Sequence, residues 1–122
     1  MKKFFLFMTL FLGSQVFTNE IDTPEFLYKI ISANDWADSQ DEPTLLLTED
    51  EQPYINFVRQ DQIDHVLDKE WNDKAAVVLK IDTSALDGDL VYEPTQCGSE
   101  KYFNLYDGEV PLYAVVDVKH LR

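Results

Sequence analysis

Ala75-Ala76-Val77-Val78-Leu79-Lys80-Ile81 has the nearly continuous apolar character of a strand buried on both faces. A strand of that kind belongs in the middle of a sheet, so the flanking segments must supply its neighbours. Upstream, Phe26-Leu27-Tyr28-Lys29-Ile30-Ile31 is rich in aromatic and β-branched residues and roughly alternates, which predicts another strand. Ser32 follows as a helix N-cap with Asp35 three residues on, and a short helix should run to about Ser39 with Trp36 turned inward. Pro43 ends it, because proline disfavours helical backbone in the residue before it.

Thr44-Leu45-Leu46-Leu47-Thr48 reads as a short strand, and Glu49 to Pro53 as an acidic turn. Tyr54-Ile55-Asn56-Phe57-Val58 is the next strand. Asp61-Gln62-Ile63 opens the clearest helix, in which Ile63, Val66, Leu67 and Trp71 keep helical spacing and His65 falls on the opposite face. Beyond the central strand, Leu90 to Glu93, Tyr102 to Tyr106 and Leu112 to Val118 read as strands, with turns at Thr83 to Gly88 and Asp107-Gly108. Two early helices among six or seven strands predict an α+β domain built on small antiparallel or mixed sheets.

Residues 26–122 form that domain and residues 19–25 a polar linker. Before them, Met1-Lys2-Lys3 leads into the apolar run Phe4 to Leu12. A basic start followed by a run well short of the roughly 20 residues of a spanning helix is the pattern of a signal peptide. Val16 and Thr18 would place a cut after Thr18, a mediocre match to the small-residue rule. The expectation is therefore an exported protein, periplasmic or secreted, touching a membrane only if residues 1–18 stay attached. The plainer alternative is that Phe4 to Leu12 is a buried strand or helix.

The chain is 45% hydrophobic, enough for a core, yet carries 23 acidic against 10 basic residues, a net charge of −13. That charge repels phosphate backbones, and no basic cluster offsets it, so nucleic acid is excluded as a partner. Spread along the chain, the acidity reads as a solubilising surface. Cys97 is the single cysteine, so no internal disulfide can form. With Glu93 and Glu100 nearby and no base, it reads as a bystander thiol or as one half of an intermolecular disulfide. Two histidines, His65 and His120, are too few and too badly placed for metal ligation or a nucleophile–histidine pair, and no calcium loop or glycine-rich phosphate loop exists. No cofactor is expected.

Leu27-Tyr28-Lys29-Ile30-Ile31-Ser32, with Trp36 in the following helix, resembles the start of the bacterial family known as domain of unknown function 952. Members share a Tyr-Lys-Ile strand, an Asp-Gly-Phe-Ile-His-Leu-Ser segment, a Trp-Glu-Pro segment and a Phe-Pro-His-Leu-Tyr-Gly segment. This chain has Tyr54-Ile55-Asn56-Phe57 at the second, Tyr92-Glu93-Pro94 at the third and Tyr102-Phe103-Asn104-Leu105-Tyr106 at the fourth. Val110-Pro111-Leu112 then leads to the last strand, and the resemblance spans about Phe26 to Val118.

That family looks like a compact relative of the ADP-ribosyltransferase fold, a split pair of small sheets with a cleft between them. The resemblance implies a ligand-orienting role for Lys29 on the first strand. It implies for Glu93 the catalytic carboxylate that steadies positive charge on a breaking glycosidic bond. Asn56 and Asn104 stand where the family has histidines, and Tyr106 beside Asn104 could stack on a ligand ring. Asparagine keeps the hydrogen bonding but exchanges no proton near neutral pH. Strand alternation alone leaves Lys29, Asn56 and Asn104 free to face inward or outward, and Glu93 reads equally as a strand-end carboxylate in water. The expected function is binding of a small polar ligand or an envelope protein, with catalysis weakened or absent. The alternative is an active nucleotide-dependent transferase or glycohydrolase using Glu93.

Overall fold

The computed structural model describes residues 22–47, 53–94, 98 and 100–121; the signal-like run, most of the acidic turn and Cys97 lie outside them. Six strands and two helices follow in the order β1 (Phe26–Ser32), α1 (Ala33–Ser39), β2 (Tyr54–Phe57), α2 (Ile63–Glu70), β3 (Ala76–Asp82), β4 (Asp89–Pro94), β5 (Lys101–Tyr106) and β6 (Val115–Leu121). They build an α+β domain with two three-stranded antiparallel sheets, ordered β1-β3-β6 and β2-β5-β4. No helix among the described residues is long and apolar enough to cross a membrane.

The nearly continuous apolar run is β3, central in its sheet, with Leu27 opposite Ile81 and Ile31 opposite Val77 on one side and β6 on the other. Both its faces are covered. Leu79, Ile81 and Val77 pack with Leu27 and Ile31 against Ile55, Phe57, Phe103 and Leu105 of the second sheet. On the reverse face Val78 and Ala76 join Ile30, Val58 and Tyr102 under Val66 of α2, with Ile63, Leu67 and Trp71 packed at the margin. Helical spacing in α2 thus serves the second face of a sheet whose first face already holds the main core.

Backbone pairing links the two sheets at one bridge. Tyr28 of β1 and Val58, just past β2, exchange both backbone hydrogen bonds at 2.9 Å. Past Val58 pairing goes no further, because the chain turns away through Arg59 and a 3₁₀ turn at Gln60–Gln62, and on the other side of the bridge the Lys29 side chain reaches the Asn56 carbonyl. The sheets are therefore joined along a short seam and splayed beyond it.

The Ser32 cap forms as expected, its hydroxyl accepting from the Asp35 amide at 3.0 Å, and Trp36 is partly buried against the core. Two expectations are corrected. Thr44 makes a single bridge to Pro111, and Leu45 to Leu47 form no strand. Leu45 donates to the Val110 carbonyl and Leu112 to that of Pro43, but Pro43 and Pro111 have no amide with which to extend the ladder. The final strand begins at Val115, not Leu112, because Pro111 starts a 3₁₀ turn through Leu112–Ala114 closed by the Ala114 amide on the Pro111 carbonyl. The apolar run is split, with Leu112 and Ala114 filling the core from a turn.

Phe57 and Phe103 are fully buried cross-strand partners at the centre of the inter-sheet core. Phe57→Ala should lower unfolding free energy by about 3–5 kcal/mol, measured by equilibrium urea denaturation.

Candidate functional site

Alternation sorts the second sheet into two faces. Ile55, Phe57, Phe103 and Leu105 enter the core, so the intervening residues Tyr54, Asn56, Tyr102, Asn104 and Tyr106 occupy the opposite face. Asn56 is the register partner of Asn104, and Tyr54 of Tyr106. Glu93 on β4 sits opposite Tyr102 and reaches the same polar face.

A directed chain of hydrogen bonds results. Tyr106 Oη donates to Glu93 Oε2, Asn104 Nδ2 donates to the same oxygen at 2.8 Å, and Asn56 Nδ2 donates to Asn104 Oδ1 at 3.0 Å. From the other sheet, Lys29 Nζ donates to the Asn56 backbone carbonyl at 2.7 Å. Lys29 shares the core side of β1 with Leu27 and Ile31 and is only 5% exposed. A charge so placed requires a strong acceptor, and the carbonyl across the seam supplies one. Asn104 is 1% exposed, while Asn56, Glu93 and Tyr106 are half-buried.

All five residues singled out in the sequence therefore lie in one connected network, but they do not stand in one cavity. A cleft of about 700 Å³ opens where the sheets splay. Of the five, Lys29 and Asn56 line it; Asn104, Glu93 and Tyr106 extend behind Asn56 across β5 to β4. The Tyr106 ring tilts against Tyr54 with centroids 5.3 Å apart, so its stacking partner is a neighbouring tyrosine.

The remaining walls were not legible as site residues. Tyr28, Tyr54 and Tyr102 line the cleft with Trp71, whose ring faces the Lys74 ammonium at 5.7 Å. Asp35 and Glu70 add carboxylates. Tyr102 and Trp71 also pack in the cluster under α2, while one side of each meets the cleft. Gln62 is another buried polar residue, its amide nitrogen donating to the Lys101 carbonyl at 2.8 Å and its oxygen accepting from the Arg59 amide at 2.8 Å. It fixes the turn leading into α2. Among the described residues no cluster of histidine, cysteine or carboxylates has metal-binding geometry.

The family model described as "Protein of unknown function (DUF952)" matches residues 30–118. The chain belongs to the DUF952 family. Its fold is similar to the X-ray structure of protein CC0527 from Caulobacter crescentus, with TM-score 0.68 and 20% identity over 80% of this chain and 86% of that one. A double mutant of CC0527 matches with TM-score 0.68 and 19% identity over the same shares. No curated protein matches. The DUF952 match begins within β1 and ends in β6, so it spans both sheets and most of the cleft wall, with Tyr28 and Lys29 just before it.

Two tyrosines hold their protons unusually well. The Tyr106 phenol is pushed up to about 12, first by its hydrogen bond to Glu93, then by burial and the Glu93 charge. Tyr102 is pushed up to about 12, first by burial, then by the charge of Glu100 and a hydrogen bond to it. Because each folded value lies above the ordinary 10, the associated stability is present below pH 10 and is lost as pH rises from 10 towards 12. Urea denaturation across that window should show the midpoint falling, and Tyr106→Phe should remove its share of the slope while leaving that of Tyr102. A flat midpoint through pH 12 contradicts the assignment.

Proposed function

We propose that this DUF952 protein is an exported single-domain binder whose cleft, of ADP-ribosyltransferase type, takes a small polar ligand with little or no turnover. One observation carries the reading: Glu93 is held behind Asn56 by donors from Asn104 and Tyr106 and is not among the residues lining the cleft. A carboxylate meant to steady a developing oxocarbenium charge needs to face the reacting carbon. The residues between it and the cleft are asparagines, which pass no proton at neutral pH. The cleft volume falls within the roughly 300–1,000 Å³ typical of small-molecule sites, and its aromatic walls suit a ring.

Binding should appear as a rise in melting temperature with a nucleoside, nucleotide or sugar, weakened by Asn56→Ala or Asn104→Ala. Ligand binding that neither substitution alters places the ligand elsewhere. The second reading, turnover by Glu93, draws on the half-exposed position of that carboxylate. It requires release or transfer of a glycosyl group that Glu93→Gln abolishes. Export requires that fractionation recover the chain outside the cytoplasm, and cleavage would make Asn19 its first residue. An envelope-protein partner, held through the acidic surface, would show salt-sensitive co-purification.

A further inference from the structure

The direction of the hydrogen bonds behind the cleft has a consequence for what the cleft accepts. A carboxylate can only accept, so Glu93 requires the donor end of the Asn104 amide, and Asn104 Nδ2 supplies it at 2.8 Å. Tyr106 cannot relieve that requirement, because its own proton is directed at the same oxygen. Asn104 must then present Oδ1 to Asn56, which answers with Nδ2 at 3.0 Å. Each amide has one donor end and one acceptor end, so the polarity set by Glu93 passes along two residues. Asn56, which lines the cleft, therefore keeps Oδ1 as a fixed acceptor at the end of its amide turned away from Asn104, with its second Nδ2 hydrogen on the end turned towards Asn104.

The charges around that acceptor agree with it. Among the described residues Lys29 and Lys74 are the lysines on the cleft wall, balanced by Asp35 and Glu70, and no arginine lines it. Lys29 Nζ is engaged with the Asn56 carbonyl, and Lys74 lies against the Trp71 ring. Behind the wall Glu93 adds another negative charge, and the whole chain carries −13. An ionised phosphate brings acceptors only. It would meet Asn56 Oδ1 and two carboxylates beside two ammoniums already engaged at the Asn56 carbonyl and the Trp71 ring, with no guanidinium or glycine-rich loop among the described residues of the wall to hold it. A neutral ring bearing vicinal hydroxyls brings donors to those acceptors and an apolar face to Trp71 and the tyrosines.

We infer that the cleft selects a neutral, hydroxyl-bearing ring, a glycoside or nucleoside, and rejects its phosphorylated counterpart, because Glu93 fixes Asn56 as an acceptor. The inference rests on the cleft being the binding site. Isothermal titration of the full chain with matched pairs tests it: glucose against glucose 6-phosphate, N-acetylglucosamine against its 6-phosphate, and adenosine against ADP. The neutral member of at least one pair should bind, with its phosphorylated partner about tenfold weaker or worse, the scale of one mismatched hydrogen bond. The sugar and adenosine arms separate a glycoside from a nucleoside.

Glu93→Gln lets the side chain at that position donate, so both asparagine amides can reverse and the discrimination should narrow. If that variant fails to fold by circular dichroism, Asn56→Ala provides the check, since it deletes the acceptor and should weaken the neutral member about tenfold. Equal or tighter binding of a phosphorylated partner overturns the inference and leaves the cleft as a binding site. Unchanged discrimination in folded Glu93→Gln, or unchanged affinity in Asn56→Ala, overturns the role of the amide chain. Failure of every neutral and phosphorylated probe to bind overturns the cleft reading together with the inference.

Discussion

Two backbone hydrogen bonds between Tyr28 and Val58 are the constraint on which the rest of this molecule depends. They hold the edge of one sheet to the end of a strand in the other, and they stop there. Had β2 continued along β1, the two sheets would have merged and no cleft would exist. On the cleft side of the bridge Tyr54 and Asn56 form no ladder with Ile30–Ser32; on the other side Arg59 and the turn at Gln60–Gln62 carry the chain away, and Gln62 locks that departure with bonds to Arg59 and Lys101. The seam also brings Lys29, on the core side of β1, within 2.7 Å of the Asn56 carbonyl.

From that seam the polar face of the second sheet follows by register. Because Asn56 stands opposite Asn104, and Glu93 lies within reach of both Asn104 and Tyr106, four side chains satisfy one another with one carboxylate oxygen as the terminus. Asn104 is almost fully buried, and an unpaired amide there would cost about 1–3 kcal/mol. The network is thus a structural requirement of the sheet as well as a feature of the candidate site. Histidine at either asparagine position would offer different donor and acceptor geometry. The paired asparagines are a matched set, and their joint presence has a physical reason in the bond they make to each other.

Much of the fold was legible in the chain. The near-continuous apolar run at Ala76–Ile81 could be buried on both faces only as a central strand, and the Ser32–Asp35 spacing marked a helix start that forms as a cap. Two segments misled because proline acts through its missing amide. Thr44–Leu47 looks like a strand in isolation, yet its potential partners include Pro111, which cannot extend a ladder. The apolar run from Leu112 looks like one strand, yet Pro111 turns its first three residues into a 3₁₀ turn. Of the candidate site, the five named residues were found through strand position and family likeness. Trp71, Tyr28, Tyr54 and Tyr102 were not, since one side of each fills a hydrophobic cluster or strand surface and spacing reports only that side.

The sequence by itself determined most of the strands and both helices, which face of each is apolar, and that the domain is α+β in the DUF952 family. These follow from periodicities of two and 3.6 residues and from local capping and turn chemistry, all written within a few residues of one another. Only the tertiary structure decided that Lys29 lies buried against a carbonyl 27 residues away and that Asn56 meets Asn104 at a separation of 48. It also decided that Glu93 stands behind the cleft and not in it. Alternation fixes the side of a strand to which a residue points, but its neighbour there depends on register between distant segments. That register is set by the whole core at once.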